Sequence, residues 1–331
     1  MALGLAAAGL GASGSDVDPC AVPGMRTNQR PGAGGAPTEV SVGVRMVDLT
    51  DINDVSQTLT GDFAVLLRWT DPRLDGLEGC EIPLSDVWTP GLRFVNSGRL
   101  FKSQAEAVAV EPGGTAVYLQ RYYGSMATYH NLRQFPFDEQ TFVLSLVSLQ
   151  YGEEDVQLVV DERFTGRRNV LNISAWTVTS VEGGTRRQLV EATGNTASAY
   201  DLRITAHRQR HFYVWKIIVP LCLIVFMSWT VFWVNPGQFG PQIGLSATSM
   251  LTLIAFQFAT TSMVPELGYF TTLDEFITGS TIIVFLALVQ SLTTSYLVSQ
   301  GKEELGLRVD RLSRYVFPLG FAALILAVFF R

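Results

Sequence analysis

From residue 212 to its end the chain is dominated by four apolar segments, and no other feature restricts its folding as strongly. A helix needs about 20 residues to cross a bilayer, and in lipid each backbone polar group must be satisfied inside the segment or by protein. Residues 212–233, 241–263, 276–298 and 313–330 fit that requirement, so residues 212–331 read as a transmembrane domain. Only 16% of the chain is charged, and most of that charge precedes residue 212. The two parts of the chain therefore live in different solvents. The first span carries Tyr213, Trp215 and Trp233 near its ends, as an aromatic belt requires. Its Pro220 is tolerable where neighbouring helices satisfy the freed carbonyl.

The second span differs from the others. It carries Gln242, Ser246, Thr248, Ser249, Thr252, Gln257, Thr260, Thr261 and Ser262. A helix so rich in hydroxyls should face water or protein on at least one side; the ordinary explanation is hydrogen-bonded packing inside a bundle. The loop between the third and fourth spans holds Lys302, Arg308 and Arg311, with Arg314 at the next helix start. The loop between the second and third holds only Glu266, Asp274 and Glu275 as charges. The excess of positive charge puts the former in the cytoplasm. Four spans then put both termini and the preceding domain outside the cell, as in a multi-pass protein of a cell (inner) membrane.

Residues 38–211 alternate. Val40, Val42, Val44 and Met46 share one strand face, and further strand-like runs follow between turn signals such as Asp71-Pro72 and Pro112-Gly113-Gly114. Many short strands at this spacing predict an immunoglobulin-like β-sandwich. Residues 1–37 read as a signal-like or disordered segment ending in a Gly/Pro-rich linker, with the ordered fold expected to begin near Thr38. In "LRQFPFDEQTF", Pro136 removes a backbone donor, so the stretch cannot be the middle of a central strand. Cys20, Cys80 and Cys222 are too few and too scattered for a disulfide framework or zinc site, and His130, His207 and His211 lack ligand spacing. No metal or other cofactor is expected. A net charge of −6 argues against a nucleic-acid surface. With no recognisable nucleophile arrangement, the chain does not read as an enzyme. A membrane-anchored extracytoplasmic sensor that does not conduct ions is the rival class.

"WTPGLRFVN" (Trp88–Asn96), "FPFDEQ" (Phe135–Gln140), "PLCLIVFMSWTVFW" (Pro220–Trp233), "VPELGYFT" (Val264–Thr271) and "FPLGF" (Phe317–Phe321) occur in an order that resembles the pentameric ligand-gated ion channels, or Cys-loop receptors. The bacterial type is the nearer one. Animal members bracket the "FPFD" loop with cysteines, whereas this chain has Thr128 and Phe142 there. Its loop must be held by packing.

The resemblance implies a homopentamer, each chain joined by four copies of itself in a lipid bilayer, with the second span lining a pore for permeant ions. Anchored on Pro265, the match puts Gly244, Thr248, Leu251, Ala255, Phe258 and Ser262 on the pore face. Those positions average about 3.5 residues apart, near the helical repeat. Rings of Leu251, Ala255 and Phe258 would form a constriction that conducts only when wide enough to stay wet. The inner mouth, "NPGQFGPQIGL", is uncharged, and Gln242 stands where anion-conducting relatives carry arginine. Glu266 would ring the outer mouth with carboxylates and favour monovalent cations. Asp54, Phe135, Pro136, Phe137, Asp138, Arg208 and Pro265 match the interface that couples the two domains. The agonist region would involve Arg93, Leu149, Tyr151 and Arg186, beneath a hairpin near Val181–Ser198 that has no aromatic residue. A small-molecule agonist and a proton, titrating carboxylates such as Glu81, Glu106 and Glu153 or the histidines, both stay open.

Overall fold

A computed structural model describes residues 19–22, 27–191, 194–235, 237–261 and 266–330. Among them the strands are β1 (Thr38–Asn53), β2 (Thr58–Thr70), β3 (Glu81–Pro83), β4 (Leu92–Phe94), β5 (Ser97–Lys102), β6 (Ala107–Glu111), β7 (Thr115–Ala127), β8 (Glu139–Ser148), β9 (Val156–Val160), β10 (Gly166–Arg167), β11 (Trp176–Val190) and β12 (Asn195–Arg208). The larger sheet runs β10-β1-β2-β7-β6-β3, with β9 also on β1 and β5 also on β7; the smaller runs β11-β12-β8-β4. The two sheets share one core. Val40, Val42, Val44 and Met46 of β1 are buried together with Phe142, Leu144 and Leu146 of β8 and Tyr200, Leu202 and Ile204 of β12. Period-two alternation puts every second side chain of a strand on the same face, which is why this core was visible as a pattern.

Order reaches further back than Thr38. Arg30 is buried, and its Nε donates to Asp155 Oδ1 at 2.9 Å. Its terminal nitrogens donate to the carbonyls of Pro31, Gly32, Gly35 and Ala36. The supposed linker is thus a tight loop wound around a guanidinium. Gly32 and Gly34 make it possible, with φ of 67° and 88° that other residues rarely adopt. Cys20 and Cys80 form a disulfide, contrary to the expectation from their wide spacing. Residues 1–18 and 23–26 lie outside the described residues.

Four helices follow that are long and apolar enough to cross a membrane: α1 (His211–Trp233), α2 (Gly240–Thr260 within a helix Phe239–Thr261), α3 (Thr272–Ser299) and α4 (Glu303–Phe329). α1 is not uniform. A π-helical turn over Val214–Ile218 comes just before Pro220. The wider turn takes up the register that a proline without N–H cannot hold. α4 begins at Glu303, earlier than the expected 313. The apolar run set the expectation, but Glu303, Glu304 and Arg308 extend the helix on its polar end.

Candidate functional site

The sandwich meets the bundle through the loop Thr128–Asp138, between β7 and β8, and through the end of β12. Arg208, the last residue of β12, is buried. Its Nε donates to Asp138 Oδ1 at 2.7 Å and its Nη2 to Asp138 Oδ2 at 3.1 Å. Its Nη1 donates to Asp54 Oδ2 at 2.6 Å and its Nη2 to Asp54 Oδ1 at 3.1 Å. Tyr213 Oη, at 3.4 Å, accepts a further bond from Nη1. The planar fork therefore uses its whole donor set, as bidentate carboxylate recognition demands. The guanidinium also lies over the rings of Trp176 (4.2 Å) and Phe135 (4.7 Å). The predicted meeting of Asp54, Asp138 and Arg208 is present.

The sequence did not single out a fourth member. His130 is fully buried; its Nδ1 lies 3.0 Å from Asp54 Oδ1 and its Nε2 lies 2.9 Å from Thr128 Oγ1. An acceptor-only carboxylate fixes Nδ1 as the protonated nitrogen. With a neutral imidazole the cluster holds two carboxylates against one guanidinium. Burial pushes the Asp54 carboxyl up, but hydrogen bonds from His130 and Arg208 outweigh that and hold it below the usual carboxylate range. Burial likewise pulls the Arg208 guanidinium down, and the bonds and charges of Asp138 and Asp54 more than reverse it.

The same loop grips the bundle. Thr272 N donates to Arg133 O at 2.9 Å, and Leu273 N donates to Phe135 O at 3.2 Å. These are the first two N–H groups of α3, which have no acceptor within their own helix. Carbonyls of the sandwich supply it. Thr272 Oγ1 adds a bond to Arg133 O, Leu132 N donates to Tyr269 Oη at 3.1 Å, and Arg133 stacks over the Tyr269 ring at 4.8 Å. Thr271 and Asp274 complete the helix start as a reciprocal capping box. Leu132 and Phe135 are fully buried within the core of the bundle, not that of the sandwich. Phe135 meets Tyr213 edge-on and Phe137, partly exposed, meets Phe329. The Phe135–Pro136 peptide is cis. Tyr269, Thr272 and Leu273 were not foreseen individually, although "VPELGYFT" marked their neighbourhood. Pro265 lies outside the described residues.

Along α2, Gly244, Thr248, Leu251, Ala255 and Phe258 are all exposed, Leu251 at 69% and Phe258 at 78%. The opposite face holds the buried Gln242, Ser246, Ser249, Leu253 and Thr260. Ser262 lies outside the described residues. Gln257 Nε2 ties α2 to Thr281 Oγ1 of α3 at 2.9 Å. Gln242 is turned into the bundle, where its Oε1 accepts from Ser295 Oγ at 2.6 Å. It is therefore not on the exposed stripe, contrary to its expected place at an inner mouth. The hydroxyls of Ser249, Thr252 and Thr260 donate to carbonyls of their own helix, which commits their protons and leaves their oxygens as acceptors. Glu266 is exposed and shares an open cleft with Phe258 and Tyr269.

The residues expected at an agonist region do not converge within one chain. Tyr151 Oη accepts from Trp88 Nε1 at 2.9 Å. Arg186 Nε is bound to Asp201 at 2.7 Å, Leu149 is exposed, and Arg93 lines a small cleft with Lys102, Tyr118 and Tyr122. Glu153 pairs with Arg187 and Glu106 with Lys102. The hydrogen bond from Lys102 holds the Glu106 carboxyl below its usual range.

Two family patterns match the chain: the neurotransmitter-gated ion-channel ligand binding domain over residues 24–212, and the neurotransmitter-gated ion-channel transmembrane region over residues 217–308. The chain is 25% identical over 302 residues to a protein of Gloeobacter violaceus named a proton-gated ion channel, covering 89% of this chain and 84% of that one. It is 25% identical over 285 residues to the gamma-aminobutyric acid receptor subunit rho-3 of Rattus norvegicus, covering 82% of this chain and 61% of the subunit. It is 24% identical over 308 residues to the beta-4 subunit of Gallus gallus, covering 88% and 62%. The chain thus spans most of the bacterial relative and about three fifths of the receptor subunits.

Proposed function

The chain belongs to the neurotransmitter-gated ion-channel family, a family of membrane channels and not of enzymes, and from that premise we propose that five copies form a proton-gated, cation-passing pore in a cell membrane, with the sandwich outside. The observation that carries the reading is the buried Asp54–Arg208–Asp138–His130 cluster, set on the very loop that supplies acceptors to the start of α3. A change in the cluster's charge has a short covalent and hydrogen-bonded route to the helix that follows the pore span.

The exposed stripe Gly244, Thr248, Leu251, Ala255 and Phe258 supports pore lining. Its Leu251, Ala255 and Phe258 are apolar side chains left exposed in a single chain, which marks an interface or a channel wall. Ser262 would continue the stripe. Glu266, repeated five times at the outer end, supports cation preference. Pro265 belongs to the coupling segment in this reading.

Protons are favoured over an amine because the β11–β12 hairpin has no aromatic residue over Val181–Ser198. An amine cage needs such rings. Of the three histidines, only His130 is buried, and it alone touches the cluster. The bacterial relative bears the name proton-gated ion channel. A small-molecule agonist seated between subunits near Arg93, Leu149, Tyr151 and Arg186 is the competing reading.

Ion flux from purified protein in vesicles, recorded over a pH series, tests the proposal. Acid-evoked flux is expected, and His130→Gln should displace the pH at which it begins. Absence of flux at any pH, with binding intact, would favour a non-conducting sensor. Flux that ignores pH and needs an added small molecule would favour the competing agonist.

A further inference from the structure

In the half of the bundle away from the sandwich, Asp310 of α4 is only 1% exposed. Gln290 of α3 reaches it, with Nε2 donating to Asp310 Oδ1 at 2.8 Å. The other oxygen of each group is buried without a hydrogen-bond partner among the described residues: Asp310 Oδ2 and Gln290 Oε1. An ionised carboxylate only accepts, and an amide oxygen only accepts. Two acceptors are thus left with no donor between them.

The neighbours do not supply one. The Thr294 hydroxyl lies within reach of the carboxyl, but its single proton is shared with the carbonyls of Gln290 and Ser291, at 3.2 and 3.1 Å. Arg314, one turn further along α4, is a positive charge near Asp310. Its Nε donates to the Phe232 carbonyl at 3.0 Å, and its guanidinium lies over Trp233 at 5.4 Å. From α3 the facing groups are the Gln290 amide and the Thr294 hydroxyl, and the turn Thr230–Trp233 packed on α4 contributes a carbonyl. None of these titrates. A charged side chain inside a span is expected to pair with something or to mark a functional site.

One proton closes the account. A carboxylic acid and a primary amide are complementary: the amide N–H donates to the acid carbonyl, and the acid O–H donates to the amide oxygen. The first bond is present, and the two atoms of the second are the two left over. We propose that Asp310 and Gln290 form an intrasubunit proton-binding site, an acid–amide pair that joins α4 to α3. The orientation proposed above puts it in the cytoplasmic half of the membrane. It is distinct from His130, and it predicts a bound proton whether or not the pore conducts.

Infrared difference spectra of the full-length protein in lipid vesicles, wild type against Asp310→Asn, provide the test at neutral pH. The wild type is expected to show one carboxylic-acid C=O band per chain, shifted by deuterium exchange and lost in the variant. Gln290→Leu should move that same band to higher frequency, because the acid loses its amide partner, and this arm serves if Asp310→Asn does not assemble. A carboxylate signal from Asp310 in the wild type overturns the proposal, as does a carboxylate signal that appears only with added sodium or potassium. An acid band that neither substitution alters overturns it too.

Discussion

Asp138 and Asp310 are both almost completely buried, and they differ in who supplies their donors. Asp138 receives two bonds from Arg208 and a third from Gln140 Nε2 at 2.6 Å. Asp310 receives one from an amide, and its second oxygen has no hydrogen-bond partner among the described residues. The first is a charge made tolerable by a matching fork; the second is a carboxyl whose accounting lacks a proton. Burial alone therefore says little about what a carboxylate does. The donors around it distinguish a mechanical tie from a chemical site.

That contrast breaks most sharply at Arg208. Arg208→Ala leaves two carboxylates buried together, and removing one partner of a buried pair costs about 3–5 kcal/mol. A lowered unfolding temperature and loss of evoked current at matched surface expression are expected; normal gating would refute the coupling role. The triple variant Asp54→Asn, Arg208→Met, Asp138→Asn should regain most of the stability without regaining the current, which separates structure from transmission. Phe135→Ala tests the apolar half of the junction. Emptying a filled aromatic site costs about 3–5 kcal/mol at the upper end and less where the site collapses, and denaturant unfolding in detergent reads it.

Acid sharpens the comparison further. Asp54 has a lowered carboxyl in the fold. Its contribution is complete above the ordinary carboxylate value of about 3.9 and is lost as pH falls through the lower folded value. Wild-type stability should therefore fall more steeply than that of Asp54→Asn below about pH 4, as thermal melts over a pH series would record. The smallest effect expected is that of Thr272→Val. It deletes one hydroxyl bond to Arg133 O, worth about 1 kcal/mol, and leaves the backbone bond from Thr272 N in place. A small shift in the pH of activation, with normal expression, is the readout.

How much of this was legible followed from distance along the chain and from the kind of bond. The strands of the sandwich declared themselves because alternation is local: Val40 to Met46 form one face with no knowledge of what covers it. Asp54, Asp138 and Arg208 were found through motifs that carry their neighbours with them. His130 was not, because a lone histidine in a loop carries no pattern until Asp54 is placed beside it. Cys20 and Cys80 are 60 residues apart, and nothing between them signals a bond. Arg30 hid inside a Gly/Pro-rich stretch whose composition suggests slackness, while its carbonyls in fact converge on a cation. Gln242 read as a mouth residue because its position in the sequence is terminal, yet its rotation about the helix turns it toward Ser295. Helix faces are set by neighbours, and the neighbours lie in other spans.

The start of α3 also bears on how such a chain is built. Its first two N–H groups, Thr272 and Leu273, find acceptors only when the loop carrying Arg133 and Phe135 has docked. Until then that end of the helix is incomplete at the membrane surface, however well the spans have inserted. The core of the bundle is likewise incomplete without the loop, because Leu132 and Phe135 are buried inside it. A chain whose outer domain is misfolded should therefore carry an unfinished helix end, a local mark of incomplete maturation.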